Sequence, residues 1–206
     1  MRFSGIASVI GVLALVGGAL FWGGKYGRGV PAEAARLVKV VFEAENAHRF
    51  SKPIERVLST YKDKWRRANS GKGYLEIPDK ANGDRHENLP GEVVFRVNIP
   101  EEGTYRLWAR VWWMDGCGNS FFVVAGGRPP AVLGEDGTYK TWHWVELKVP
   151  FAFKQGETTI VFKNREDGVK LDQVLLLKGG RRYVPGGGYA PERVTPGALV
   201  TGESGR

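Results

Sequence analysis

The stretch "GTYRLWARVWW" (Gly103–Trp113) decides the fold class. Apolar and polar residues alternate along it, so Tyr105, Leu107, Ala109, Val111 and Trp113 fall on one face of an extended strand. On its N-terminal side lies "GEVVFRVNIP" (91–100), which alternates in the same way. "PEEGTYRL" between them reads as a turn, and the two strands are predicted to pair as an antiparallel hairpin. Moving outward, "LVKVVFEAEN" (37–46), "YLEIP", "NSFFVVAGG", "WHWVELKVP", "ETTIVFKN" and "VKLDQVLLL" have the same strand character. Glycine-rich and polar turns separate them at short intervals. Seven or eight such strands predict an all-β sandwich over 37–177.

Other segments break this pattern. In Ser51–Arg67, Ile54, Val57, Leu58, Tyr61 and Trp65 recur at helical spacing, with Ser51 as N-cap and Pro53 in the first turn. A short basic amphipathic helix is predicted at 51–67, packed on the sandwich edge or facing a membrane or partner. "IASVIGVLALVGGALFW" (Ile6–Trp22) is an uncharged apolar run just after Arg2. Residues 1–24 therefore read as an uncleaved signal-anchor helix, with a signal peptide cleaved near Ala32–Ala34 as the alternative. Residues 25–36 form a linker, and the Gly/Pro-rich residues 178–206 read as a mostly disordered tail.

Charge and cysteine usage narrow the function classes. The net charge is +8, but residues 1–72 carry +8, residues 73–177 carry −3 and residues 178–206 carry +3. A nucleic-acid binder carries its basic stripe on the folded part, so this distribution argues against one and favours anionic lipid or wall polymer. Cys117 is the single cysteine, which excludes an internal disulfide and a thiolate zinc site; it reads as a buried structural thiol. His48, His86 and His143 are scattered without metal-site spacing. No nucleophile elbow, phosphate loop or dinucleotide fingerprint occurs. Glu166 and Asp167, being adjacent, diverge on a hairpin and do not flank a bond as glycosidase carboxylates do.

Five pieces in this order carry a resemblance: "FEAEN", "YLEIP", "VNIPEEGTYRLWARV", "TYKTWHWVEL" and "GVKLDQVLLL". Together they resemble the carbohydrate-binding modules of families 6 and 35, in the galactose-binding-like superfamily, over about residues 38–177. The resemblance implies a jelly roll. It also implies a structural calcium on Glu43, Glu45 and Asp172. On a strand Glu43 and Glu45 leave the same face, and calcium accepts several carboxylate and carbonyl oxygens. Asp172 shares a strand face with Val174 and Leu176, where an unpaired carboxylate is costly. A salt bridge to Arg or Lys, or solvent exposure, is the alternative.

In the related modules sugar binds between loops at one end of the sandwich. Candidate contacts are Tyr74, Asp115, Asn119, Tyr139, Trp142 and Asn164. Aromatic rings stack on the C–H faces of sugars while polar groups fix orientation. Core packing is the competing role for Trp142, and turn formation for Asn164. The expectation is a non-catalytic glycan- or polysaccharide-binding module, held by its N-terminal helix on the outer side of a membrane and stabilised by calcium. The domain is then periplasmic or on the cell surface, or secreted if the leader is cleaved. The alternative is a structural or protein-interaction sandwich in a surface assembly, without sugar binding. Tyr74 and Tyr139 in one open cleft beside Asn164 would favour the first.

Overall fold

The computed structural model describes residues 36–85 and 87–200. The predicted N-terminal helix and linker lie outside these residues, apart from Arg36; among the described residues no helix is long and apolar enough to cross a membrane. Twelve strands run in order: β1 (Val38–Glu43), β2 (Arg49–Phe50), β3 (Glu55–Val57), β4 (Tyr74–Ile77), β5 (Glu92–Ile99) and β6 (Gly103–Trp113), then β7 (Ser120–Ala125), β8 (Ala131–Gly134), β9 (Trp142–Glu146), β10 (Phe151–Phe153), β11 (Gly156–Asn164) and β12 (Val169–Lys178). Among the described residues helix is confined to two 3-10 turns, Ala44–Asn46 and Pro185–Gly188.

The strands form two antiparallel sheets, consistent with a jelly-roll sandwich. In the seven-stranded sheet β6 and β12 pair along most of their length. The far edge of β12 takes β4 and then β1, while the far edge of β6 takes β9 and β10. The other sheet has the order β2-β5-β11-β7-β8. Consequently β5 and β6 are not a hairpin: the turn at Pro100–Glu102 carries the chain from one sheet to the other. Both strands alternate because each buries one face in the same core, which is why alternation alone suggested pairing. That core holds Tyr105, Leu107, Ala109, Val111 and Trp113 from β6, the face read from the sequence. Phe95 and Val97 of β5 and Ile160 and Phe162 of β11 meet them from the other sheet.

The opposite face of β6 carries Arg106, Trp108, Arg110 and Trp112, and the adjoining face of β9 carries Trp142 and Trp144. All four tryptophans are buried. Two segments cover them, and both depart from expectation. Residues 51–67 are not helical: they contain β3, and residues 58–73 fold back over Trp112, Trp142 and Tyr74 through Tyr61. The helical stripe fails because its members serve different surfaces. Ile54 enters the main core, Tyr61 the outer aromatic cluster, and Leu58 and Trp65 face solvent. Ser51 caps nothing; its backbone and hydroxyl pair with Glu92.

The tail is ordered through residue 200, contrary to the disorder read from its composition. It lies over Trp108 and Trp144, with Trp144 Nε1 donating to Ala190 O at 2.8 Å. Glu192 accepts from Lys39 Nζ at 2.8 Å, and its N–H donates to Gln173 Oε1 at 2.9 Å. Beyond Thr195, which hydrogen-bonds Val41, the tail reaches the other sheet: Asn98 N donates to Ala198 O and Val200 N to Arg96 O. Its glycines and prolines shape a strap, and the indoles beneath supply the burial that its own composition lacks.

Ending the chain at Gly179 should therefore uncover Trp108 and Trp144. At roughly 3–5 kcal/mol for losing the packing of one buried ring, the unfolding midpoint should fall by about 10 °C, with new binding of a hydrophobic dye. An unchanged thermal midpoint would refute the covering role.

Candidate functional site

At one end of the sandwich three connections meet: residues 78–91 after β4, 114–119 after β6 and 165–168 after β11. Between them is an open cleft of about 790 Å³ bordered by Asn82, Arg85, Cys117, Phe122, Asn164 and Arg165, among others. Asn164 ends β11 and is buried. Its Nδ2 donates to Asn82 Oδ1 at 2.7 Å and to Pro90 O at 2.8 Å, while its Oδ1 accepts from Asn82 Nδ2 at 3.3 Å. The residue thus pins the 78–91 loop, a role different from forming its own hairpin turn. Asp167 Oδ2 accepts from Asn82 N at 2.8 Å and secures the same loop.

Arg165 forms a second knot. It donates to Ser120 Oγ and to Glu166 Oε1, pairs with Glu135 at 2.9 Å, and stands 5.7 Å from the Phe122 ring centre. Glu166 Oε2 accepts from Asn119 N at 2.9 Å and Ser120 Oγ at 2.7 Å. The two adjacent acids are therefore structural acceptors. Arg85, Glu87 and Asn88 are exposed along the cleft, and Phe122 is half-buried at its wall.

The other candidates separate. Asp115 closes a turn through Cys117 N and Gly118 N at 2.9 and 3.1 Å. Asn119 is buried and donates to Gly116 O, leaving its Oδ1 without a hydrogen-bond partner. Cys117 is exposed at the cleft rim, not buried as its residue type suggested. Tyr139 packs half-buried against the main core, behind the 114–119 loop. Tyr74 and Trp142 lie elsewhere, on the outer face of the larger sheet. There they join Tyr61 and Trp112, and the Lys170 ammonium stands 5.1–5.4 Å from the ring centres of Tyr61, Tyr74 and Trp112. Tyr74 and Tyr139 therefore share no cleft. Phe122 and the 78–91 loop border the cleft without being among the sequence candidates. Alternation in "NSFFVV" places Phe121 inward and Phe122 outward, and "ANGDRHEN" is a long polar loop, so both signals were present.

The second constellation is the carboxylate cluster. A register shift between Leu171 and Gln173 marks a β-bulge at Asp172. The extra residue resets the alternation, so Asp172 leaves the Val174–Leu176 face and turns outward. There it forms a fully buried ion pair with Arg110. Its Oδ1 accepts from Ser70 N at 2.8 Å and Ser70 Oγ at 3.1 Å. Glu43 Oε2 shares the Ser70 hydroxyl at 2.5 Å, and Glu43 Oε1 accepts from Gln173 Nε2 at 3.0 Å. Glu45 Oε1 accepts from Lys72 N at 2.8 Å, whereas Glu45 Oε2 is buried without a hydrogen-bond partner. A Cβ at Gly71 would overlap Glu45 Oε1, so the turn requires glycine. Burial pushes the Glu43 carboxyl up to about 7, with the Asp172 and Glu45 charges adding to it against hydrogen bonds from Ser70 and Gln173. Burial likewise lifts Asp172 to about 6, against the opposing pull of Arg110. Among the described residues no three His, Cys, Asp or Glu side chains converge as a ligand set.

The architecture has known counterparts. In fold, the chain resembles the family 35 and family 6 carbohydrate-binding modules. It aligns with the Podospora anserina GH26-CBM35 β-(1,4)-mannanase at a TM-score of 0.52 and 16% identity, covering 69% of this chain and 28% of that chain. The family 35 module from Clostridium thermocellum aligns at 0.49 and 17% identity, over 68% of this chain and 97% of that one. The module CBM6cm-2 of Cellvibrio mixtus lichenase 5A, solved with cellotriose, aligns at 0.48 and 20% identity, over 68% and 98%. At these identities the likeness is one of architecture. No protein-family model matches the chain, and a search of curated proteins finds no match.

Replacing Asp172 with Ala should leave the Arg110 charge buried and unpaired, at a cost of about 3–5 kcal/mol. Urea unfolding at neutral pH measures it, and a loss below about 1 kcal/mol would contradict a structural role for the pair.

Proposed function

We propose that the protein is a non-catalytic glycan-binding module, displayed on the outer side of a membrane by its N-terminal apolar segment. The observation that carries the reading is the preformed cleft between residues 78–91, 114–119 and 165–168. It pairs one aromatic face, Phe122, with polar groups held in fixed positions, which is the combination a sugar ring needs. The structural neighbours include a family 6 module in complex with cellotriose, which is in keeping with this role. One observation favours a second reading, an interaction module without sugar binding: Tyr74 and Trp142 are buried and cannot serve as open platforms. Immobilised polysaccharides discriminate. The wild-type protein should be retained on at least one polymer, and Phe122→Ala or Arg85→Ala should weaken retention about tenfold, roughly 1.4 kcal/mol, without altering stability. Failure to bind any polymer in the panel would leave the second reading standing.

The carboxylate cluster supports a calcium site in reduced form. Glu43 and Asp172 share the Ser70 hydroxyl, and Glu45 Oε2 is buried with no hydrogen-bond partner, so Glu43 and Glu45 with backbone carbonyls would suit an oxygen-seeking cation. Asp172 is held by Arg110 and Ser70 and would contribute charge more than direct ligation. Bound calcium would tie the end of β1 to the 70–72 turn. Added calcium should raise the unfolding midpoint by about 5 °C, and Glu45→Gln should abolish the shift. The pH dependence has a defined sign. With Glu43 raised to about 7 from its ordinary 4.5, the metal-free fold keeps this group's contribution below pH 4.5 and loses it as pH rises through 7. Calcium, by holding the ionised form, should flatten that decline. Equal midpoints with calcium and with chelator at every pH would exclude the site.

A further inference from the structure

The two most exposed of the large apolar side chains in the described residues are Leu58 and Trp65, at 68% and 62%. Both lie in the excursion between β3 and β4, whose inner side covers the Trp112–Trp142 cluster. Its outer end is a tight turn. Lys62 and Ala68 bridge across it, Asp63 N donates to Arg67 O at 2.8 Å, and Arg66 N donates to Asp63 O at 2.9 Å. The buried Asp63 carboxylate fixes the turn from beneath. Its Oδ1 accepts from Trp65 N at 2.7 Å and Arg67 N at 2.8 Å. Its Oδ2 accepts from Thr141 Oγ1 at 2.7 Å and Trp142 N at 2.9 Å, anchoring the turn to the start of β9. Burial raises the Asp63 pKa, but these hydrogen bonds outweigh it and hold the carboxyl below the ordinary aspartate range. Arg66 occupies the left-handed region at φ 60°, which non-glycine residues seldom adopt. An indole is thus held outward by a rigid, locally strained support.

The charges around it point to the occupant. Lys62, Lys64 and Arg66 are exposed, and Lys64 Nζ lies 5.3 Å from the Trp65 ring centre. None of the three takes part in an ion pair among the described residues. Residues 49–72 carry eight Lys/Arg against two Asp/Glu, and one of those acids, Asp63, faces inward. We propose that this tip, Lys64-Trp65-Arg66 with Lys62, docks on the surface of an anionic lipid bilayer. An indole suits the headgroup layer, and long cationic side chains reach lipid phosphates while their stems lie along apolar surface. An anionic polysaccharide would also meet the cations and the ring, so what favours the bilayer is the chain's own apolar segment. The apolar run Ile6–Trp22 in the same chain agrees with a bilayer nearby. This surface is separate from the glycan cleft, whose residues it does not share.

The turn is also a cluster of trypsin sites, and this gives a test in the full-length chain. The protein is mixed with phosphatidylcholine vesicles, or with vesicles in which about a third of the lipid is phosphatidylglycerol. Cleavage after Lys62, Lys64 and Arg66 is followed by mass spectrometry and referenced to cleavage after Lys154, on the turn between β10 and β11. Anionic vesicles should slow cleavage at the tip about tenfold at low ionic strength, neutral vesicles should not, and roughly 0.5 M salt should restore the rate. Trp65→Ala, a substitution at an exposed position, should remove most of the protection while leaving the Lys154 reference unchanged. Equal tip cleavage with anionic and neutral vesicles would overturn the proposal. So would stronger protection by soluble polygalacturonate than by vesicles, which would assign the tip to a polysaccharide.

Discussion

The buried pair of Arg110 and Asp172 organises the outer half of this molecule. A guanidinium beneath a covering layer is unfavourable unless its donors all find acceptors. Here they do. Arg110 pairs with Asp172 on β12, donates from Nη2 to Ala68 O at 3.1 Å in the 58–73 excursion, and donates from Nε to Tyr189 O at 2.8 Å in the tail. The Trp142 ring centre lies 5.5 Å away. One side chain thus joins the central strands to both segments that cover the outer face. Removing either segment leaves a donor without its acceptor, so the two covers and the pair stand together.

The bulge at Asp172 makes this possible. In regular alternation Asp172 would enter the main core beside Val174 and Leu176, where no counter-charge waits. One extra residue turns it outward onto Arg110 and lets Val174 and Leu176 resume their places in the core. The same displacement places the carboxylate beside Ser70, whose hydroxyl also serves Glu43. The three acids flagged in the sequence are therefore neighbours, but they are linked through a serine and an arginine more than through a shared centre. The raised pKa values of Glu43 and Asp172 follow first from their burial, which for Asp172 the Arg110 guanidinium does not fully offset.

Legibility followed the range of the interaction responsible. The core face of β6 was readable because alternation is a local property, and it fixed the sandwich. Sheet membership was not: β5 and β6 look like a hairpin because both are half-buried, and only the opposing sheet separates them. The 51–67 stripe imitated a helix because three unrelated surfaces, the core, the outer aromatic cluster and solvent, each claimed some of its apolar residues. The tail seemed structureless because its stabilising partners, Trp108, Trp144 and Gln173, belong to distant strands. At the candidate site, Asn164 and the 114–119 and 165–168 loops are legible because each directly follows or ends a long strand. Phe122 is hard to single out because only strand alternation separates it from the buried Phe121 beside it.

The larger aromatics explain how the surfaces divide their work. Tyr74, Trp112 and Trp142 are committed to the outer face, where Lys170 and Tyr61 complete the cluster and leave no ring free to meet a sugar. A cleft built on Phe122 and exposed Arg85, Glu87 and Asn88 has one modest apolar face and several polar groups. In a cleft of that make-up hydrogen-bond geometry counts for more than stacking. Such sites depend on preorganisation, since each polar contact gains little once water is displaced. The knots through Asn164–Asn82 and Arg165–Glu166–Ser120 provide that rigidity, and they do so with side chains that are themselves saturated. The residues most conspicuous in the sequence are thus the frame of the cleft, and the plainer residues beside them are the ones left exposed along it.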